Sequence, residues 1–371
     1  MRIGVEGRTL QGRRYGVARY LVNLLRNLVD IDEANEYAVY LSEPIEPLGF
    51  TSAHLEEKVI AGGPSLTWRH LRLPRAMKAD GIDLHFSPSY FLPLYEVCPS
   101  VVVVHDLTFR AHPEWFARDW RMRFDDIFWH KVKKADHIIT VSEYSKADII
   151  ELLKVDRGRV TAIPEAADEY FRPVEDQAKL EEVREKFGVP AGFVFTVGAI
   201  HTRRNLERLI EALAMARDAT GADPFLLIMG TPAEFSPTVD IHGAAARCGL
   251  SERVRHVEYV TEEDLLLLYN ACGLFAYTSL YEGFGLPVIE AMACGAPVVC
   301  SNVTSIPEVA GDAALYFNPE ITEEIGEVIA SALSDATLRD RLGKAGIERA
   351  AGFSWRRTAT ETLGVFNKVL G

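Results

Sequence analysis

The residues best suited to chemistry lie in one run, Tyr277-Thr-Ser-Leu-Tyr-Glu-Gly-Phe-Gly-Leu-Pro-Val-Ile-Glu-Ala-Met-Ala-Cys-Gly295. Its second half is apolar enough to predict a short helix over 287–294, with Pro287 suited to the first turn and Gly295 to the end. Gly283 and Gly285, on either side of Phe284 and just ahead of Leu286, let backbone approach a ligand closely. The N–H groups at the helix start, with the dipole behind them, favour an anion, so the loop suits a phosphate. Glu290 falls inside the helix among Val288, Ile289, Ala291 and Met292, and a carboxylate buried there needs hydrogen-bond donors such as sugar hydroxyls. Glu282, just before the glycines, is placed to face a reacting group. The plainer alternative is a solvated Glu282 and a Glu290 paired with a local cation.

Three further sets invite the same question. Arg203 and Arg204 precede a helix pattern over 206–217, where two cations are unfavourable unless an anion receives them; a solvated charge pair is the alternative. Gly12-Arg13-Arg14-Tyr15-Gly16 precedes another helix at Val17 and offers backbone N–H groups at its start. His105 ends a predicted strand over 101–105, where a doubly wound sheet presents residues to a ligand, or else it only finishes that strand with a structural hydrogen bond. Asp30-Ile-Asp32 has metal-binding spacing but follows a helix and precedes a charged loop, so a solvated turn is expected. The stretch 115–134 mixes aromatics with Arg118, Arg121, Arg123, Lys131, Lys133 and Lys134. Phe116, Trp120, Phe124 and Ile127 fall at helical spacing, which predicts a core-facing helix, and a basic aromatic surface for anionic lipid is the other reading.

Positioning such groups takes strands whose carboxyl ends converge. Strands are predicted over 2–6, 37–41, 84–86, 101–105, 137–141 and 160–163, and again over 193–197, 225–229, 254–257, 275–278 and 298–300. Helical patterns lie between them: Leu21, Leu24, Leu25 and Leu28 share one face, as do Ile149, Leu152 and Leu153. This alternation implies α/β architecture, two doubly wound parallel sheets facing across a cleft. The boundaries expected are an N-terminal acceptor domain over 1–170, a charged, proline-punctuated linker over 171–191 and a C-terminal donor domain over 192–353. A last helix over 354–371 is expected to pack back on the first domain.

Composition narrows the function. At about 150 residues per domain, 371 residues imply two domains, and 48% hydrophobic with 25% charged residues is ordinary for a folded globular chain. A net charge of −13 argues against a general nucleic-acid binder. The five cysteines (Cys98, Cys248, Cys272, Cys294 and Cys300) are widely spaced and read as buried thiols of a reducing compartment. The opening residues lack a signal-peptide core and no apolar run approaches the ~18 residues of a membrane span, so a cytoplasmic location is expected, with peripheral membrane contact open.

Glu282 and Glu290 form E-x7-E around Gly-Phe-Gly-Leu-Pro. With Val197-Gly-Ala-Ile-His-Thr-Arg-Arg-Asn-Leu206, His105-Asp106, Val141-Ser-Glu-Tyr-Ser145, Ile306-Pro-Glu308 and Gly7-Arg-Thr-Leu-Gln-Gly12, these motifs resemble the retaining glycosyltransferases of group 1, which use nucleotide-sugar donors on the two-Rossmann GT-B fold. The resemblance implies that Glu290 binds the nucleotide ribose and that Glu282 lies beside the donor sugar. It also implies that the amides of Gly283, Phe284, Gly285 and Leu286 meet sugar and diphosphate, that Gly16 lies over the donor phosphate and that His105 touches the sugar. Arg204, with Arg203 before it, takes the place of the usual diphosphate-binding lysine, and Ala199 stands where many members have an arginine. Glu282, His105 and Arg204 are thereby the catalytic candidates.

The implied reaction moves a sugar from a nucleoside diphosphate to a hydroxyl of a glycan or lipid-linked acceptor. The acceptor attacks on the face from which the diphosphate departs, with no cofactor and no metal required. Gly7-Arg-Thr-Leu with Gly16-Val-Ala-Arg-Tyr20 looks most like members acting on mannose, which favours GDP-mannose. A non-catalytic nucleotide-sugar binding or regulatory protein is the alternative, and a dehydrogenase lacks its G-x-G-x-x-G after the first strand.

Overall fold

The computed structural model describes residues 1–12, 16–62, 65–117, 126–233, 237 and 239–371. They form two compact units: Met1–Ala111 with Arg121–Glu165 and Ser354–Gly371, and His112–Trp120 with Ala166–Phe353.

The first unit carries seven parallel strands: β1 (Arg2–Glu6), β2 (Glu36–Leu41), β3 (Leu55–Val59), β4 (Leu84–Ser87), β5 (Ser100–Val103), β6 (His137–Thr140) and β7 (Val160–Ala162), in the order β3-β2-β1-β4-β5-β6-β7. The second carries β8 (Val194–Val197), β9 (Leu226–Met229), β10 (Val254–Val257), β11 (Leu274–Tyr277), β12 (Val298–Ser301) and β13 (Ala314–Phe317), ordered β10-β9-β8-β11-β12-β13. Val101, Val102 and Val103 of β5 are all buried, as a sheet covered on both faces requires. In each sheet the strand order reverses at the first strand, between β1 and β4 and between β8 and β11. Loops leaving the carboxyl ends on either side of such a switch point splay apart and leave a crevice.

Between strands, Leu21, Leu24, Leu25 and Leu28 form the buried face of the helix Val17–Ile31. The helix Glu262–Ala271 starts on a reciprocal capping box between Thr261 and Asp264, and Ser142 caps Glu143–Leu153. The charged helix Gln177–Phe187 belongs to the second unit, burying Leu180 and Val183. The last helix, Trp355–Leu370, packs in the first unit: Trp355 lies edge-on to Tyr20 at 5.8 Å, Phe366 to Phe86 at 5.2 Å, and the Thr358 hydroxyl donates to Pro164 O at 2.7 Å.

Several sequence expectations change. β3 and β13 were not foreseen: β3 is a half-exposed edge strand whose Glu56, Glu57 and Lys58 break any apolar run, and β13 is only four residues long. β5 stops at Val103, so His105 lies in the loop beyond it and does not end the strand. Asp32 is no solvated turn residue. It is buried and accepts from Asn35 Nδ2 at 2.7 Å, from the Tyr37 hydroxyl and from the backbone N–H of Ala34 and Asn35. Those bonds outweigh the upward pull of burial and hold its carboxyl below the ordinary range. Phe116 is buried on extended backbone after a 3-10 turn, and the helix of that region begins at Asp126; Trp120, Phe124 and the Ile127 side chain lie outside what is described.

Candidate active site

Two loops flank the switch point of the second sheet. After β8 the chain passes Gly198 and the 3-10 turn Thr202–Arg204 into the helix Leu206–Thr220; after β11 it passes Thr278 to Gly285 into Leu286–Ala293. Leu280 N–H donates to Arg203 O at 2.8 Å and the Thr278 hydroxyl to Arg204 O at 2.9 Å, tying the loops together. Gly198 sits at φ +138°, where a Cβ would meet the Arg204 guanidinium at 2.7 Å, so glycine makes room for that side chain.

Glu282 and Arg204 meet here. Arg204 Nη1 donates to Glu282 Oε1 and to the Tyr277 hydroxyl, and lies 3.1 Å from Ser279 Oγ. Ser279 donates to the same carboxylate oxygen at 2.6 Å, and Arg203 Nη2 is 3.8 Å from Oε2. Glu282 is only 6% exposed, so the solvated alternative does not hold for it, nor for Arg203 and Arg204, whose side chains are 18% and 11% exposed. Burial, then Arg203 and Arg204, press the His201 pKa down to about 2. That imidazole is neutral and accepts the Arg203 N–H on Nδ1 at 3.3 Å.

The glycine loop is held from a third strand. Beyond β12, the Ser305 hydroxyl is 2.9 Å from Glu282 O and 3.0 Å from Phe284 O, and Glu282 N–H donates to Thr304 Oγ1 at 3.1 Å. Thr304 takes φ +57°, a conformation a β-branched residue adopts only under constraint. Gly285, at φ +105°, is the N-cap of Leu286–Ala293 and provides no capping side chain for the first-turn N–H groups. Glu290 is buried on this helix and accepts from the Tyr269 hydroxyl at 3.0 Å.

In the first unit His105 is held at both ring nitrogens: Nδ1 is 3.2 Å from Glu165 Oε1 and Nε2 is 2.9 Å from Pro88 O, with Tyr20 edge-on at 4.9 Å. Burial alone would lower the imidazole pKa, but the hydrogen bond and charge of Glu165 raise it, which favours imidazolium. Gly16 takes φ +47° as N-cap of Val17–Ile31, while Arg13, Arg14 and Tyr15 lie outside the described residues.

Sequence reasoning missed Tyr277, Ser279, His201, Tyr269, the Thr304–Ser305 brace and Glu165. The usable signal was polar residues at or just past strand ends, as at Tyr277, Ser279 and Thr304. Among the described residues no three His, Cys, Asp or Glu side chains gather as metal ligands, and no helix is long and apolar enough to cross a membrane.

Comparison with known proteins extends these observations. The family model for glycosyl transferases group 1 matches residues 179–349, and that for glycosyltransferase family 4 matches residues 15–169. The O-antigen chain mannosyltransferase B of Escherichia coli is 32% identical over 286 residues, covering 76% of this chain and 74% of its own. The serotype-specific mannosyltransferase WbdA of the same organism is 31% identical over 276 residues, and the alignment spans only 34% of that longer protein. Among solved structures, the sucrose-phosphate synthase of Thermosynechococcus elongatus superposes with a TM-score of 0.77 at 21% identity, over 99% of this chain and 98% of that one.

Proposed function

We propose that this chain, which belongs to the group 1 glycosyl transferases, has the GT-B fold and is a glycosyltransferase of glycan synthesis, transfers mannose with retention from GDP-mannose to a hydroxyl of a glycan or lipid-linked acceptor. The observation that carries this reading is the buried Arg204–Glu282 pair beside the glycine loop that opens Leu286–Ala293. It provides cation, carboxylate and helix N-terminus within one loop cluster, which suits a diphosphate joined to a sugar. The mannosyltransferase names of the relatives support the sugar.

In this reading Glu290 takes the ribose hydroxyls, and Gly283, Phe284, Gly285 and Leu286 meet sugar and diphosphate through their backbone. Arg203 and Arg204 receive the charge that develops on the leaving diphosphate and Glu282 contacts the sugar, while Gly16 is assigned to the donor phosphate and His105 to the sugar. The bond from the anomeric carbon to the diphosphate oxygen breaks as the acceptor oxygen bonds to the same face. The acceptor proton passes to a departing phosphate oxygen, and the side chains supply position and charge stabilisation. With two arginines at the leaving group, no metal and no cofactor is needed. The buried thiols Cys272, Cys294 and Cys300 support a cytoplasmic place of work, at the inner membrane face when the acceptor is lipid-linked.

The test is incubation with GDP-mannose and a mannan oligosaccharide acceptor, with the new linkage read by NMR. An α-linked mannose is expected; a β-linkage contradicts retention, and transfer from a UDP-sugar but not from GDP-mannose contradicts the donor.

A further inference from the structure

The groups that hold the His105 ring come from separate elements of the first unit, and one of them, Glu165, has no part in the transfer reaction as described. Pro88, after β4, faces Nε2 through its carbonyl oxygen at 2.9 Å; Glu165, after β7, faces Nδ1 through Oε1 at 3.2 Å; Tyr20, on Val17–Ile31, lies edge-on at 4.9 Å. Glu165 is itself fixed. It is 4% exposed, and the carbonyl just before it, Pro164 O, accepts from the Thr358 hydroxyl of the last helix at 2.7 Å. It is also the residue at which the chain leaves the first unit, so its place against His105 is set from within that unit.

The ring hydrogens follow from these partners. A carbonyl oxygen has no hydrogen to give, so Nε2 carries one toward Pro88. An ionised carboxylate has none either, so Nδ1 carries another toward Glu165. The ring is then an imidazolium with both N–H groups occupied and no lone pair to take a proton. It cannot act as the base toward an acceptor hydroxyl, which agrees with a proton that leaves on the departing phosphate. The other titratable groups facing the ring do not reverse this. Asp106, on the same loop, also favours the cation, and burial, then Glu165, keep the Tyr20 phenol protonated. Tyr90, ring to ring at 6.3 Å, accepts from the Asp106 N–H at 3.3 Å.

We propose that Glu165 is a positioning residue for the sugar transfer, acting through His105, which it holds as an imidazolium in one orientation at the loop after β5. The ion pair stands on the geometry; its effect on transfer rests on the glycosyltransferase reading, which assigns His105 to the donor sugar. Glu165→Gln is nearly isosteric, and its amide can donate to a neutral Nδ1, so it takes away the ring's charge and the charged half of its clamp while leaving the space filled.

The test has two arms. In ¹⁵N NMR of the wild type without donor, His105, identified by the signal missing from His105→Gln, should have both ring nitrogens protonated at pH 8, well above the ordinary imidazole pKa of about 6.5. In Glu165→Gln only Nε2 should remain protonated. In turnover with GDP-mannose, Glu165→Gln should lower kcat about tenfold or more while GDP affinity stays within about twofold, because GDP lacks the sugar that His105 meets. The double variant His105→Gln/Glu165→Gln should be no slower than His105→Gln, since Glu165 acts through that ring. Thermal unfolding checks that each variant is folded at the assay temperature, and the wild-type spectrum decides the proton whether or not a variant folds. A neutral His105 in the wild type at pH 8, wild-type turnover in Glu165→Gln, or a double variant slowed by the product of the two single losses overturns the proposal. If the wild type transfers no sugar, the glycosyltransferase reading fails, and with it the effect on transfer, while the spectra still decide the ion pair.

Discussion

Replacing Arg204 with methionine removes the cation but keeps most of the apolar stem, and its consequence follows from what is left around Glu282. That carboxylate is 6% exposed and would retain only the Ser279 hydroxyl at 2.6 Å and Arg203 Nη2 at 3.8 Å. Breaking a buried ion pair by deleting one partner costs about 3–5 kcal/mol, because the other charge stays desolvated without compensation. In a unit of this size each kcal/mol lowers Tm by about 2–4 °C, so Arg204→Met should lower the melting of the second unit by roughly 6–20 °C. The double variant Arg204→Met/Glu282→Gln removes both charges and should recover most of that loss, leaving a coupling energy of about 2–4 kcal/mol in the cycle. Loss of charge-assisted bonds to the diphosphate should also weaken GDP about 10- to 150-fold, equivalent to about 1.5–3 kcal/mol. Differential scanning calorimetry with and without GDP reads both quantities. A single variant that melts with the wild type, or a double variant less stable than the single, refutes the pairing argument.

Other outcomes follow from the same contacts. The His105 pKa is raised in the fold, so its contribution is fully present below the unfolded value of about 6.5 and is lost as pH rises through the folded value. Glu165→Gln should flatten that part of the Tm-against-pH curve, and an identical curve in the variant would show that Glu165 does not set the proton. Ser305→Ala leaves the Glu282 and Phe284 carbonyls without their hydroxyl donor and should cost about 1–3 kcal/mol in thermal unfolding, together with weaker GDP binding; unaltered values would free the glycine loop from that brace. Transfer should persist in EDTA, since Arg203 and Arg204 provide the leaving-group charge, and complete loss restored by Mg²⁺ or Mn²⁺ would contradict this.

The fold was legible where burial on both faces writes itself into the chain. Val101 to Val103 and the leucines of Val17–Ile31 announce a central strand and its covering helix. β3 was not legible, because an edge strand half in water carries Glu56, Glu57 and Lys58 and has no apolar period. The glycine loop could be read because helix start, helix end and glycines lie within one run. Pairings across the sheet could not: Arg204 and Glu282 are 78 residues apart and meet only because β8 and β11 are neighbours at the switch point. Glu165 fell outside every predicted strand and helix, and only the fold of the first unit brings it to His105. Asp32 misled for the opposite reason, since its partners Asn35 and Tyr37 are local but bury it.

The central claim is that the two glutamates of the second unit serve different parts of the donor, and it is tested most directly by GDP affinity from calorimetry alongside turnover with GDP-mannose for Glu290→Ala and Glu282→Ala. Glu290 lies on the helix, bonded to Tyr269, and Glu282 lies in the loop with Arg204, so the division predicts distinct losses. Glu290→Ala should weaken GDP by about 1.5–3 kcal/mol, as expected when ribose hydroxyls lose a charged acceptor. Glu282→Ala should lower thermal stability, because the buried Arg204 loses its partner, yet leave GDP nearly unaffected and lower turnover, because the donor contact it loses is to a sugar that GDP lacks and matters most as the anomeric centre gains positive charge. Equal loss of GDP binding in both variants, each measured well below its own melting temperature, would contradict the account.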